Sequence, residues 1–352
     1  MKRKKILFCH TGLSTFVKSD LEILSKEYEV IPYYYRLGTT SMMKIANIFS
    51  SFLFALKWVW KVDVVFCWFG GYHGFFPVLL AKIFNKKSII VVGGYDAAYV
   101  PSISYGIFYT GGFQLWCVKM IYNWATWICP VDESLVKSTN YYADPSGVGY
   151  NTGILNFIPL LQSKMAVVPS GYIEPKMPKA DLKRSGILSI AMIENDKDFY
   201  LKGLDIVIDL AKKMAQHNFT FVGIDPYYFK TIESKIPENL EIVYPLDHNS
   251  LMEVYMNHKI YLQISMSEGL PNSLCEAMLF GCIPIGSNVN GIPNAIGNTG
   301  FILYEKKIQT LIGYVVEAME LDDNQGQKAR ERILKMFPLG KRVSSLLSII
   351  NC

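Results

Sequence analysis

Charged residues are scarce in this sequence: they make up 18% of its 352 residues, whereas 51% are hydrophobic. That balance excludes a disordered chain and predicts large buried sheets. A chain of this length exceeds what one hydrophobic core usually organises, so we expect two domains. The sequence also lacks any short internal repeat.

Cysteine motifs are absent as well. None of the seven cysteines belongs to a CxxC pair or lies at a metal-binding spacing from a histidine. We therefore expect scattered, reduced thiols in a cytosolic protein. The seven are Cys9, Cys67, Cys117, Cys129, Cys275, Cys282 and Cys352.

Long apolar runs suited to a leader peptide or a membrane span are missing too. After the basic start MKRKK, the apolar run covers only residues 6–9, which predicts a first buried strand. Residues 48–60 are too short to span and contain Lys57, and residues 97–118 are broken by Pro101, serines and glycines. We expect both of these segments to be buried or interfacial.

Positive charge is concentrated in the first half of the chain. Residues 1–168 contain 16 Lys and Arg against 9 Asp and Glu, or +7, and the remainder contains 19 against 21, or −2. A basic first half suits an anionic membrane surface or an acidic ligand, although lysines also serve solubility. Lysine and tryptophan interleave in residues 44–61, KIANIFSSFLFALKWVWK, which fits a peripheral membrane helix or a core helix equally well.

Short apolar runs alternate with helical patterns along the whole chain. Continuous apolar runs are typical of parallel strands covered on both faces, so we predict two doubly wound, Rossmann-like α/β domains that face a cleft. The predicted domains are residues 1–168 and 169–336, with a hinge at 169–186. Residues 337–352 are predicted to form a final helix, and one option is that this helix packs back on the first domain. The predicted strands are KKILFCH, YEVIPYYY, VDVVFCWF, KSIIVVGG, WATWICPVD, KMAVVPSG, GILSIAMI, NFTFVGID, LEIVYP, KIYLQIS, CIPIGS and GFILY.

The stretch SMSEGLPNSLCEAM places Glu268 before a tight turn and Glu276 inside the helix that follows. The helix start after Pro271 presents free backbone N–H groups and the positive end of the helix dipole, which suit a phosphate. Ionised glutamates accept hydrogen bonds from diols such as those of a sugar or a ribose. A structural alternative is a capping box, in which Ser273 and Glu276 satisfy the helix start.

The wider pattern resembles the donor-binding signature of family 4 retaining glycosyltransferases, which have the GT-B fold. The pattern is S-x-x-E-G-L-P-x-S-x-x-E-A-M followed by GCIPIGSNVNGIPNAIGNTGFIL, and the resemblance extends through residues 165–304. It implies a first domain on the acceptor side, a second domain that binds a nucleotide-sugar donor, and no metal cofactor. It also implies that Lys202, in YLKGLD, binds the donor diphosphate.

The predicted site follows from this signature and from loops after predicted strands. Glu268 would position the donor sugar and Glu276 the ribose. The predicted catalytic residues are Glu268, Lys202 and Asp96. The predicted donor-binding residues are Gly12, Lys202, Glu268, Gly269, Leu270, Pro271, Asn272, Ser273 and Glu276.

Two positions depart from the family pattern. Met192 occupies the place of an arginine, for which Lys197 is a weak substitute, and Asn294 replaces a late glutamate. A methionine in place of the arginine predicts looser donor binding, another cation in the site, or lost activity. The second is milder, because an amide still forms hydrogen bonds.

Three further features have structural alternatives. Asp196-x-Asp198 matches a metal-binding DxD pattern but is interpreted as a solvated pair. Gly12 suits either a phosphate loop or an ordinary turn, and His73 favours a structural role. Asp96 is predicted near the donor sugar or the acceptor.

We therefore predict a cytoplasmic glycosyltransferase, with a peripheral position on the inner membrane face as an alternative. It would move a sugar from a nucleotide diphosphate-sugar to a glycan or lipid-linked hydroxyl acceptor with retention. Rival hypotheses are a non-catalytic GT-B binding or partner subunit at a membrane and a nucleotide-sugar epimerase. Nucleic-acid binding is not expected, because the basic residues are dispersed.

Overall fold

The first half of the chain folds around a five-stranded parallel sheet. The computed structural model describes residues 3–36, 38, 40–176 and 184–352, without the side chains of Ser41 and Lys44. The strands are β1 (Lys5–His10), β2 (Glu29–Tyr34), β3 (Val64–Trp68), β4 (Lys87–Val92) and β5 (Trp127–Pro130). Their order is β2-β1-β3-β4-β5, and the uninterrupted apolar run of β3 lies buried at the centre.

Helices cover this sheet, and a small hairpin follows it. The helices are α1 (Thr15–Glu27), α2 (Ser41–Trp58), α3 (Tyr72–Ile83), α4 (Ile107–Thr110), α5 (Gly112–Trp124) and α6 (Ile154–Phe157). The hairpin consists of β6 (Ser138–Asn140) and β7 (Tyr150–Thr152). Helix α3 contacts both α2 and α5, so these three helices form one layer.

A second parallel sheet, of six strands, organises the rest of the chain. Its strands are β8 (Ile187–Ile193), β9 (Phe219–Ile224), β10 (Leu240–Val243), β11 (Ile260–Gln263), β12 (Ile283–Ser287) and β13 (Phe301–Leu303). The order is β10-β9-β8-β11-β12-β13. Strands β8 and β11 are therefore neighbours, and the loops that follow them meet at one edge of the sheet.

The first six described helices of the second half connect these strands, and the last three follow β13. They are α7 (Asp196–Leu201), α8 (Leu204–Lys213), α9 (Pro226–Ile232), α10 (His248–Asn257), α11 (Asn272–Leu279), α12 (Gly291–Ile296), α13 (Ile308–Glu320), α14 (Asp323–Met336) and α15 (Leu339–Asn351). Within the described residues, no helix combines the length and the hydropathy that crossing a bilayer requires.

One predicted strand differs from the structure. KMAVVPSG is not a strand but an extended segment, in which the N–H groups of Ala166 and Val168 donate to the carbonyls of Ile128 and Pro130. The residues just before Lys202 form the short helix α7, whose first turn is capped by Asn195. The predicted hinge is described only in part, since residues 177–183 lie outside the described residues.

The final helix α15 contacts the first domain. Arg342 on α15 forms a buried two-pronged ion pair with Asp20 on α1, with both N···O distances 2.6 Å. The Lys87 ammonium donates to the carbonyls of Ile349 and Ile350 near the end of α15. The chain therefore crosses from one domain to the other twice, once near residue 170 and again near Phe337.

Candidate active site

Lys202 and Glu268 meet although 66 residues separate them: Lys202 Nζ lies 2.7 Å from Glu268 Oε1. Two contacts bring them together. Gly203, at φ 73°, packs so closely on β11 that a Cβ there would lie 2.1 Å from the Ile264 carbonyl oxygen. The Met266 N–H also donates to the Leu201 carbonyl over 2.8 Å. The two side chains keep 25% and 12% of their surfaces exposed, so the ion pair remains accessible to a ligand.

A buried glutamine, Gln263, orients Glu268. Its amide nitrogen donates to Glu268 Oε1 over 3.3 Å and to Ser265 Oγ over 2.8 Å, and its amide oxygen accepts from Ser273 Oγ. Sequence reasoning missed this residue. The only available signal was a glutamine at the end of a strand that is otherwise apolar.

The capping box proposed for this helix is not formed. Helix α11 has Pro271 at its N-cap, and a proline side chain has no oxygen that could cap the helix. Ser273 lies within the helix, and its hydroxyl donates to the amide oxygen of Gln263. Glu276 instead accepts a hydrogen bond from the Tyr255 hydroxyl over 3.2 Å. The first N–H groups of α11 therefore lack side-chain caps of the usual kind.

Glu276 lines a cavity of about 150 Å³. Its neighbours there include Thr15 and Phe16 at the start of α1, and Asn272 at the start of α11. Burial raises the pKa of the Glu276 carboxyl. The starts of these two helices thus face one another across the domain boundary.

Gly269 lies at a close backbone contact between the domains. A Cβ on Gly269 would lie 2.1 Å from the Gly93 carbonyl oxygen in the loop after β4, and the Gly291 N–H donates to the Gly269 carbonyl. The next residue, Leu270, is buried. The turn between Glu268 and α11 is therefore held from both sides.

Asp96, predicted as a catalytic residue, is held by backbone N–H groups of two neighbouring loops. It is buried, and its carboxylate oxygens accept hydrogen bonds from the N–H groups of Gly70, Gly93 and Gly94 over 2.9–3.1 Å. Burial raises the pKa of this carboxyl, against the opposing effect of those hydrogen bonds. Asp96 thereby shapes the glycine loop that touches Gly269.

Two other residues of the first domain occupy contrasting surroundings. Gly12 lies between β1 and α1 with open space where a side chain would begin, so a ligand can approach its backbone. His73 is buried on α3, where Nε2 donates to the Trp68 carbonyl over 2.6 Å, and burial lowers its pKa to about 4. The structural role favoured for His73 agrees with this geometry.

The two departures from the family pattern lie on different sides of the site. Met192 is 54% exposed near the end of β8, and Lys197 lines a large cavity beyond it. Asn294 donates from Nδ2 to Asp132 Oδ2 in the first domain over 2.8 Å. A glutamate at position 294 would place two carboxylates together, so the amide matches its partner in this chain.

The aspartates of the DxD pattern have local partners. Asp196 accepts from the Tyr228 hydroxyl over 2.7 Å, and Asp198 accepts from the Asn195 amide over 2.8 Å. Among the described residues, no group of three or more acidic, cysteine or histidine side chains is arranged to hold a metal.

A cavity of about 1130 Å³ lies between the two domains. Residues 102–103 and 141–147 of the first domain form one wall, and α7 with the loops after β12 and β13 forms the other. The cavity reaches Met266, two residues before Glu268.

The two facing sheets, with the site at their carboxyl edges, define the GT-B fold class, and solved structures agree. Sucrose-phosphate synthase from Thermosynechococcus elongatus gives a TM-score of 0.72 at 13% identity, covering 99% of this chain and 98% of that one. Anabaena HepE, solved with UDP and glucose, gives 0.70 at 11% identity and 99% coverage of both chains. At these identities the likeness shows the fold.

Sequence comparison identifies a domain within this fold. Residues 195–335 match the family described as Glycosyl transferases group 1, so this stretch is a group 1 glycosyltransferase domain. A trehalose synthase of Pyrococcus horikoshii is 27% identical over 228 residues, which cover 55% of this chain and 54% of that protein. One from Thermococcus litoralis is 28% identical over 43% of this chain and 41% of its own length. The chain thus spans about half the length of these relatives.

Proposed function

We propose that the protein is a retaining glycosyltransferase of family 4 that transfers a sugar from a nucleotide diphosphate-sugar to a hydroxyl acceptor. The observation that carries this proposal is the Lys202–Glu268 pair, 2.7 Å apart, beside the start of α11. It combines a cation for the diphosphate, an acceptor for sugar hydroxyls, and the N–H groups of a helix start. The group 1 domain at residues 195–335 supports the same activity.

Lys202 supplies charge stabilisation in the proposed reaction. When the bond between the anomeric carbon and the diphosphate breaks, negative charge grows on the leaving group, and the Lys202 ammonium and the α11 start stabilise it. Glu268, held by Gln263, accepts from the donor sugar, and Glu276 accepts from the ribose. The leaving phosphate deprotonates the acceptor on the same face, which gives retention without an enzyme nucleophile. We propose no metal cofactor, so a chelator leaves turnover unchanged.

The names of similar proteins suggest which donors to test. A trehalose synthase, a sucrose-phosphate synthase and HepE, the last solved with UDP and glucose, are among them. We therefore expect UDP-glucose to be a useful first donor.

A donor screen tests the proposed activity. Release of nucleoside diphosphate is measured from UDP-, GDP-, ADP- and dTDP-sugars, with isothermal calorimetry on the same donors. We expect slow hydrolysis of one donor and its loss in Glu268→Gln and Lys202→Ala. Lys213→Ala and Glu317→Gln are matched controls, because Lys213 pairs only loosely with Asp209 and Glu317 is an exposed residue of α13.

The same screen separates the rival functions. Donor binding without turnover, with glycan acceptors supplied, would favour a non-catalytic subunit, for which the exposed Met192 is the main argument. Conversion of the donor sugar without nucleotide release would favour an epimerase. If no nucleotide-sugar bound, the proposed function would be wrong.

We also propose that helix α2 contacts an anionic membrane surface on the cytoplasmic side. Its buried face includes Ser51 and Ala55, as a helix packed on the sheet requires. The opposite face exposes large apolar side chains at spacings of three and four residues, which form one continuous helical stripe. The stripe consists of Ile45, Phe49, Leu53 and Leu56, and the exposed Trp60 continues it in the short 3-10 helix (Val59–Lys61) that follows α2.

Lysines accompany this apolar stripe. The Lys57 and Lys61 ammonium groups lie 5.4 and 5.3 Å from the centre of the Trp58 ring. Apolar side chains beside lysines suit the boundary between acyl chains and anionic headgroups. The arrangement therefore combines the two attractions that peripheral binding uses.

Vesicle sedimentation tests this contact. We expect binding to vesicles of phosphatidylglycerol and phosphatidylcholine, little binding to phosphatidylcholine alone, and loss of binding in the double variant Leu53→Asp with Trp60→Asp. Val316→Asp, at an exposed apolar position on α13, is the control. Equal binding by both variants would contradict the proposal.

A further inference from the structure

Tyrosines from both domains line the cavity of about 1130 Å³ that lies between them. Tyr141 and Tyr142 come from the first domain, and Tyr200 and Tyr304 come from the second. Tyr141, Tyr200 and Tyr304 expose about half of their surfaces or more. Aromatic rings of this kind offer flat apolar faces together with hydroxyl groups, a combination that suits the faces and edges of sugar rings.

The remaining lining is polar and carries both signs of charge. Asp196, Asp205 and Glu305 face the same cavity as Lys197 and Lys306. Such a surface offers hydrogen-bond donors and acceptors around a ligand, whereas a lipid tail needs a continuous apolar channel. The volume also exceeds the range of about 300–1,000 Å³ common for small-molecule sites, so there is room for more than one sugar ring.

Two buried polar atoms of this lining have no hydrogen-bond partner among the residues that the structure describes. They are the hydroxyl of Tyr142, a side chain only 3% exposed, and Oδ1 of Asp205. The other Asp205 oxygen accepts from Lys306 Nζ over 3.0 Å. An unpaired buried polar atom is costly, and native proteins rarely keep one without a reason.

The two unpaired atoms are complementary to a hydroxyl group. The Tyr142 hydroxyl donates a hydrogen bond, and the ionised Asp205 carboxylate accepts one. A ligand hydroxyl both donates and accepts, so it is the kind of group that each of these two atoms would bind. Because Tyr142 and Asp205 belong to different domains, a ligand bound to both residues would join the two walls of the cavity.

The cavity is adjacent to the proposed reacting centre. Asp205 lies on α8 three residues after Lys202, and Met266 lies in the same loop as Glu268. A ligand in the cavity therefore reaches toward the sugar that Glu268 holds.

We propose that this cavity binds the acceptor, that the acceptor is a glycan of at least two sugar units, and that Tyr142 and Asp205 bind one of its hydroxyls. This inference rests on the proposed glycosyltransferase function. Both atoms are buried in the free protein, so binding in this proposal includes a side-chain shift that exposes them to the ligand. The new bond joins an acceptor oxygen to the anomeric carbon, the bond to the diphosphate oxygen breaks, and the acceptor proton leaves on the nucleoside diphosphate.

Saturation-transfer NMR on the full chain tests the glycan site. The probes are maltose, lactose, chitobiose and trehalose, each with and without UDP or GDP. We expect at least one disaccharide to bind, with a Kd about tenfold weaker in Tyr142→Phe and in Asp205→Asn. Tyr314→Phe is the matched control, because Tyr314 stacks on Phe301 outside the cavity.

Thermal unfolding separates a binding role from a structural one. The Tyr142 hydroxyl has no partner in the free protein, so Tyr142→Phe should keep the Tm of the parent protein or raise it. A lowered Tm together with unchanged disaccharide affinity would assign the hydroxyl a structural role and overturn the inference.

The binding data also separate this inference from the proposed function. Nucleotide binding with no disaccharide bound would overturn the glycan site and leave the donor site standing. Disaccharide binding with no nucleotide bound would support the cavity and contradict the donor site. Equal affinity of the parent protein and both cavity variants would also overturn the assignment of Tyr142 and Asp205.

Discussion

Asp96 and Glu268, the two acids predicted to be catalytic, differ in the hydrogen bonds that their carboxylates already accept. Asp96 is buried and receives three backbone N–H groups, so its carboxylate is already occupied. Glu268 keeps 12% of its side chain exposed and contacts Lys202 and Gln263 through one oxygen. Among the described residues, both Asp96 oxygens accept backbone N–H groups, whereas the hydrogen bonds of Glu268 use Oε1 and leave Oε2.

His73 gives a pH-dependent prediction at the same scale. Burial lowers its pKa to about 4, from about 6.5 in an unfolded chain, so the unfolded state binds more protons between these values. His73 therefore contributes fully to the free energy of unfolding above about pH 6.5, and this contribution is lost as the pH falls toward 4. The total loss is about 3 kcal/mol. Urea unfolding across this range measures it.

The variant His73→Gln isolates that contribution. Glutamine retains a donor for the Trp68 carbonyl but does not titrate. We expect the unfolding free energy of the variant to depend less steeply on pH than that of the parent protein. Parallel curves for the two proteins would show that His73 does not titrate on unfolding.

At the scale of elements, one buried arginine fixes helix α15 to the first domain. Arg342 pairs with Asp20, donates to the carbonyls of Val168 and Pro169, and lies over the Trp68 ring. The Trp68 indole N–H also donates to Asp20. Every charge in this cluster has a partner, which a buried ion pair requires.

Removal of Arg342 should therefore destabilise the protein strongly. Arg342→Ala leaves the buried Asp20 carboxylate without its cation, and we expect a loss of about 3–5 kcal/mol in unfolding free energy. Lys341→Ala, at an exposed position on the same helix, should change it by less than about 0.5 kcal/mol. Similar Tm values for the two variants would contradict the proposed anchoring of α15.

At the scale of the whole molecule, a backbone contact between glycines joins the two domains. The Gly269 turn of the second domain lies against the Gly93 carbonyl of the first. Side-chain bonds across the boundary accompany this contact, from Asn140 to the Met266 carbonyl and from Asn294 to Asp132. The site is therefore complete only when the domains are in contact.

A methyl group at Gly269 should disturb this closure. Its Cβ would lie 2.1 Å from the Gly93 oxygen, so the domains must separate or the turn must move. We expect Gly269→Ala to reduce turnover about a hundredfold, because small misplacements of reacting groups are costly. X-ray scattering should show a larger radius of gyration than for Gly340→Ala, whose Cβ meets nothing within 4 Å. Equal turnover would contradict the closure argument.

The sequence itself determined the local features of this protein. Continuous apolar runs predicted both parallel sheets, because a strand buried on both faces must be apolar throughout its length. The stretch around Glu268 and Glu276 predicted a helix start with two acids beside it. These predictions depend on residues within about one element of each other, and such patterns survive in a single sequence.

Only the tertiary structure decided how those features combine. Strand order makes β8 and β11 neighbours and so brings Lys202 to Glu268 across 66 residues. The packing of one domain on the other brings Asn294 to Asp132 across 162 residues. The same packing buries Asp96 among backbone amides and places Tyr142 and Asp205 in one cavity. Contacts between distant residues follow from the order and packing of whole elements, which no local pattern records.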